Sequence, residues 1–206
     1  DIGADISLFN QFNITFDWYR RNTNNMIIGM EGVSYNIGAS APNGNFGSLR
    51  TDGWELSINW GHSFSNGLNI SATASIADAK TKITDYGTSK ILSGWYTGKT
   101  YGEIWGYKVD RLFQHDDFAH DANGNLIEMK DAYGKYYKFA DGKNYATQGK
   151  IASGSLISGP GDVKFVDLNG DGVIDNGKNL TDDHGDLTVI GNTTPRYEYS
   201  FRIDAD

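Results

Sequence analysis

Along residues 12–18 the chain switches between apolar and polar at every step: Phe12, Ile14, Phe16 and Trp18 alternate with Asn13, Thr15 and Asp17. A period of two puts successive side chains on opposite faces of an extended strand, so this run predicts a strand with one apolar face. Ile2, Ala4, Ile6 and Leu8 alternate with Gly3, Asp5 and Ser7 in the same way. Only a tight turn at Asn10-Gln11 separates the two runs, which predicts a hairpin. Trp54, Leu56, Ile58 and Trp60 alternate with Glu55, Ser57 and Asn59; Leu68, Ile70, Ala72, Ala74 and Ile76 alternate with Asn69, Ser71, Thr73 and Ser75. Ser65-Asn66-Gly67 supplies the turn between them. Residues 197–203, Tyr-Glu-Tyr-Ser-Phe-Arg-Ile, repeat the pattern. The class is all-β and antiparallel.

The connections sharpen this. Those near 10–11 and 63–67 are short, whereas those at about 22–48 and 83–194 are long and rich in Gly, Asn, Ser and Asp. Alternation of short turns with long loops is the habit of a transmembrane β-barrel, and each run is long enough to cross a bilayer when tilted. Trp18, Tyr19 and Trp54 fall at the long-loop ends of strands; Phe9, Phe12, Trp60 and Phe64 fall near the short turns. Aromatics at both ends suit two interfacial girdles. In this reading Phe12, Ile14, Phe16, Trp54, Leu56, Ile58 and Ile70 face lipid. Asn13, Thr15, Asp17, Glu55, Ser57 and Asn59 face a lumen or plug. Five strands fall short of the eight that natural barrels begin with, so the chain is expected to be part of a larger barrel.

Composition removes other classes. The 206 residues carry a net charge of -8, against the basic face that nucleic acid requires. Cysteine is absent, which excludes disulfides and thiolate metal sites. No apolar run is long enough for a transmembrane helix, and the N-terminus has neither the basic start nor the apolar core of a signal peptide.

Residues 167–175, DLNGDGVID, resemble the front of a calcium loop. Asp167, Asn169 and Asp171 occupy positions 1, 3 and 5, Gly172 the sharp turn, Val173 the backbone-carbonyl position and Asp175 position 9. Position 12, where a bidentate carboxylate belongs, is Lys178. Asp182, Asp183 and Asp186 are the carboxylates that could complete the set. No amphipathic helix flanks the loop, so the chemistry suggests a structural calcium clip rather than a switch. An Asx/Gly turn without metal uses the same residues.

Several segments, taken in order, resemble SusC/RagA-type TonB-dependent outer-membrane transporters. They are residues 45–60 (NFGSLRTDGWELSINW), 102–114 (GEIWGYKVDRLFQ), 161–175 (GDVKFVDLNGDGVID), 186–192 (DLTVIGN) and 194–201 (TPRYEYSF). The resemblance implies a plugged barrel of about 22 strands in the bacterial outer membrane, importing glycan or peptide fragments with energy from TonB. It also implies a SusD-like lipoprotein on the extracellular side and a dimer of such pairs. The plug, the TonB box and the last strands would lie outside residues 1–206. In the family pattern the Asp at position 9 is followed directly by an Asp before the Thr-Val-Ile-Gly run. Here that Asp is Asp186, and residues 176–185 read as an insertion.

The signatures of enzymes are missing. There is no Gly-x-Ser-x-Gly elbow, Cys nucleophile, phosphate loop or zincin motif. His115 and His120 lie near two carboxylates at a spacing that suits neither a helix nor a strand face. Asp17 and Glu55 share the polar face of the strands. The Asn-x-Ser/Thr matches at Asn13 and Asn69 fall within strands, unsuited to glycosylation. Asp121–Asn125 and Asp141–Lys143 read as hairpin turns, and Tyr133, Tyr136, Tyr137 and Phe139 as either a sugar-stacking surface or a loop's core. The chain is therefore expected to be no enzyme. The alternative to the transporter is a soluble secreted calcium-binding β-domain such as an adhesin or carbohydrate-binding module.

Overall fold

The computed structural model describes residues 1–29, 36, 38–152 and 156–206. They form two compact units: residues 1–89, 95–103 and 192–206, and residues 90–94 and 104–191.

The first unit is a five-stranded antiparallel sheet of β1 (Ile2–Leu8), β2 (Phe12–Gly29), β3 (Asn43–Ser63), β4 (Asn69–Asp85) and β11 (Glu198–Ala205), in the order β1-β2-β3-β4-β11. Among the described residues it does not close on itself. β2 and β3 run further than the sequence pattern predicts, so the connection read as about 22–48 is shorter. The extra strand is polar (Arg20, Arg21, Asn22 and Thr23 opposite residues 49–52), and strand pairing rather than apolar periodicity holds it extended. A bulge between Thr23 and Met26, with Asn25 at φ 59°, shifts the register there.

The first turn is centred one residue earlier than read. Phe9 and Asn10 both have positive φ (56° and 53°), and the Gln11 amide bonds the Leu8 carbonyl at 3.1 Å. The Phe9-Asn10 turn is thus of the primed kind that matches strand twist, and Gln11 follows it before Phe12 pairs with Leu8. At the second turn, Gly67 at φ 91° closes onto the Phe64 carbonyl.

The second unit is built from small pieces: β5 (Glu103–Tyr107) with β10 (Leu187–Asn192), β6 (Val109–Leu112) with β9 (Val163–Phe165), and the hairpin β7 (Glu128–Asp131)–β8 (Gly134–Tyr137). Its core contains Leu92, Phe113, Phe118 and Ile174, all nearly inaccessible. Phe113, Phe118, Phe139 and Tyr145 pack ring against ring at 5.1–6.3 Å.

Candidate functional site

The register of the large sheet sorts its side chains into two faces. Ile6, Ile14, Ile58, Ala74 and Phe201 form one row across all five strands. Ala4, Phe16, Leu56, Ile76 and Tyr199 form the next, and Leu8, Phe12, Trp60, Ala72 and Ile203 the one on the other side. This apolar band is uncovered. None of Phe12, Ile14, Phe16, Trp18, Trp54, Leu56, Ile58 and Trp60 is buried, and Ile203 and Phe201 are 61% and 69% exposed. At the short-turn end Phe12, Trp60, His62 and Phe64 form a chain of ring contacts. Trp18 opposite Trp54 marks the other end. Tyr19, grouped with these aromatics in the sequence reading, points to the other face and lies over Gly53, whose missing side chain leaves room for the ring.

The reverse face is polar and knitted across strands. The Thr15 hydroxyl donates to Asp5, the Ser7 hydroxyl to Asn13 and the Thr73 hydroxyl to Asn59, all at 2.7–2.8 Å, and the Ser75 and Ser200 hydroxyls bond each other. Asp17 and Glu55 stand opposite one another, like charges without a third catalytic group. A sheet with an apolar band on one face and a hydrogen-bonded polar face on the other can sit between hydrocarbon and water.

The cation-like loop is a nest of Asx turns. Asp167 accepts the amides of Gly170 and Gly172 (2.6 and 2.9 Å), Asn169 that of Asp171 (3.0 Å), and Asp171 that of Val173 (2.8 Å). Gly170 and Gly172 take the positive φ that the turns require. Beyond Val173 the pattern changes. Asp175 is ion-paired with Lys150 and accepts the Gly177 amide at 2.7 Å, and these partners, Lys150 first, hold its carboxyl below the usual carboxylate range. Asp186 is fully buried and accepts two amides, from Leu168 at 2.7 Å and Asp175 at 2.9 Å. The Asp186 amide in turn donates to the Asp175 carbonyl at 2.8 Å.

Residues 176–185 therefore leave and return at one point, with Gly177 and Gly185 back to back. The structure brings Asp186 to the loop, but not Asp182 or Asp183, which pair with Lys90 and Lys178. Burial together with the charges of Asp175 and Asp186 pushes the Tyr107 hydroxyl up. As a donor set, Asp167, Asn169, Asp171 and the Val173 carbonyl are hard oxygens that suit calcium, with Asn169 and Asp171 exposed and Asp167 and Val173 half-buried. Asp175 would join them only by leaving Lys150. Among the described residues no three His, Cys, Asp or Glu side chains converge as a ready-made cage.

Sequence reasoning missed one polar centre of this unit. Arg111 makes two parallel bonds to Asp117 (2.6 and 2.8 Å), and Asp117 also accepts the Tyr145 hydroxyl and the Gln114 amide. Asp117 is 3% exposed, and Arg111 first of all holds its carboxyl far below the usual range. Nothing in the spacing of Arg111, Asp117 and Tyr145 announces that three segments meet there. Of the four aromatics left open, Tyr136, Tyr137 and Phe139 are half-buried, with Tyr137 and Phe139 against the Phe118 ring and Tyr136 against Phe139, while Tyr133 is exposed beneath the Lys150 ammonium. The rings of His115 and His120 stack 4.1 Å apart. Asp121 caps its predicted turn through the amides of Asn123 and Asn125.

No protein family and no curated protein matches the chain. Among solved structures it is similar to the RagAB peptide importer in its closed-closed state, with 22% identity and a TM-score of 0.43 over 68% of this chain and 17% of that one. It is also similar to the RagAB peptide transporter, with 17% identity and a TM-score of 0.48 over 95% of this chain and 18% of that one. The chain thus spans less than a fifth of either.

Proposed function

We propose that this chain is a wall segment of a SusC-like TonB-dependent importer in the bacterial outer membrane, taking up glycan or peptide fragments together with a SusD-like lipoprotein. The observation that carries the reading is the in-register apolar band on one face of the five-stranded sheet, opposite a hydrogen-bonded polar face. Exposing a band of this size to water would be unfavourable, at about 25 cal/mol per Å² of apolar area. Contact with lipid removes that cost, and the aromatic rows at both ends suit the two interfaces. No helix among the described residues is long and apolar enough to cross a membrane, and a barrel crosses with strands. The ordered motif resemblance to SusC-type transporters supports the same reading, and it is the source of the TonB and lipoprotein partners. A calcium ion on Asp167, Asn169, Asp171 and the Val173 carbonyl, next to Asp175 and Asp186, belongs to this reading as a clip that stiffens the loop.

The test is fractionation of the full-length protein followed by electrophoresis with and without boiling. A barrel is expected in outer-membrane fractions, migrating faster unboiled. A protein recovered in soluble fractions whose migration ignores heat would favour a secreted calcium-binding β-domain instead.

A further inference from the structure

The polar face of the large sheet changes character towards its far end. The inward row passes from Ser57 opposite Ser75, through Thr51 opposite Thr81, to Leu49 opposite Ile83. Residues 95–103 lie along β4 at this level. The Tyr101 amide donates to the Thr81 carbonyl (2.9 Å), the Ile83 amide to Lys99 (2.9 Å) and the Gly98 amide to Ile83 (2.8 Å). This brings Trp95 and Tyr101 together as a stacked pair, 5.7 Å apart and 18° from parallel. With Met26, Ile28, Leu49 and Ile83 they line a cavity of about 240 Å³. Ile83 is buried, while Trp95 and Tyr101 stay 42% and 53% exposed at the opening.

We infer that this cavity is a specificity pocket for one apolar side chain of a peptide whose free amino terminus pairs with Asp85. Its volume is below the roughly 300–1,000 Å³ of sites that enclose a whole ligand, so it holds a single group. A sugar ring would bring several hydroxyls needing partners. The lining is mostly apolar: beside the ring edges of Tyr86, Trp95 and Tyr101, with their two hydroxyls and one N–H, its polar side chains are Ser48 and Asp85, and Asp85 is its one charged group. Asp85 accepts the Gly87 amide at 3.3 Å and takes part in no ion pair among the described residues, so it is available to an incoming ammonium. The other nearby charge, Lys99, lies over the Trp95 and Tyr96 rings rather than in the lining. The inference rests on the transporter reading for the role of the peptide as cargo, because Leu49 and Ile83 lie on the face which that reading turns to the lumen.

The experiment titrates trileucine, triserine and maltotriose into the full-length protein in detergent, followed by calorimetry and tryptophan fluorescence. Trileucine is expected to bind saturably, with triserine and maltotriose at least about tenfold weaker. Trp95→Ala and, independently, Tyr101→Ala should each weaken trileucine by roughly tenfold. Asp85→Asn should weaken trileucine but leave N-acetyl-trileucine unchanged. Absent trileucine binding, or binding indifferent to both aromatic variants, would overturn the pocket, and preferential binding of maltotriose would overturn its peptide character. Equal loss for both peptides in Asp85→Asn would overturn the amine pairing. If the protein fractionates as soluble yet gives the expected peptide profile, the pocket stands and the membrane role falls.

Discussion

Ile58 and Ala74 stand directly opposite one another across β3 and β4, and one step further on, behind them, Thr73 donates a 2.7 Å hydrogen bond to Asn59. Two adjacent residues of β3 thus face different surroundings. Replacing Ile58 with Asp should block assembly in an outer-membrane insertion assay, through a cost of roughly 2 kcal/mol from lost apolar contact and a charge facing lipid. Replacing Ser57 with Asp puts the charge among Thr15 and Ser75 and should be tolerated. Equal behaviour of the two variants would sink the face assignment.

Asp186 is predicted to be the most sensitive carboxylate of residues 167–186. In Asp186→Asn an amide nitrogen replaces one of the two acceptors of backbone amides, at a cost of about 1–3 kcal/mol. Hydrogen exchange at Leu168 and Asp175 should speed up. Asp182→Asn breaks only an exposed pair with Lys90 and should shift exchange little.

Arg111→Ala strands the buried Asp117 carboxylate. The second unit should lose roughly 2–3 kcal/mol, read as earlier loss of protection in its aromatic core during denaturant titration. Tyr145→Phe removes one of several partners, so a smaller loss is expected.

Acid should loosen the same unit. Asp117 and Asp175 are held below their ordinary value in the folded chain, so their contribution is complete above about 3.9 and fades as pH falls below it. Lys150 is raised by Asp175, so its side of the pair persists until pH exceeds the ordinary lysine value of about 10.4. The stability of the second unit to denaturant should be flat between these limits. A midpoint near pH 6 would point to histidine instead.

Calcium is expected to slow amide exchange at Gly170, Gly172 and Val173 without changing that of the large sheet. Lys150→Met frees Asp175 and should tighten calcium binding several-fold. A loop indifferent to calcium and to chelator in both proteins would discard the clip.

The faces of the sheet were legible because period-two alternation, turn residues and register all follow from local chemistry. Phe12, Ile14, Phe16, Leu56 and Ile58 fall on one face as their spacing predicts. The lengths of β2 and β3 were not legible, because Arg20 to Thr23 extend by pairing with residues 49–52 and carry no apolar rhythm. The separation of Asp186 from Asp175 by residues 176–185 can be counted along the sequence. The reach of Asp186 to the Leu168 amide was not legible, since only the folded backbone brings residues 18 apart into contact. The Arg111–Asp117–Tyr145 cluster was hidden for the same reason.

The pinch at Asp175 and Asp186 gives the chain a place where length is nearly free. Residues 176–185 begin and end at neighbouring backbone atoms, so a peptide tag inserted at exposed Lys178 would not have to part Asp175 from Asp186, while Asn179 and Thr181 keep their bonds to residues 90–92. Relatives of different length at this point would be expected to keep both aspartates and vary everything between them.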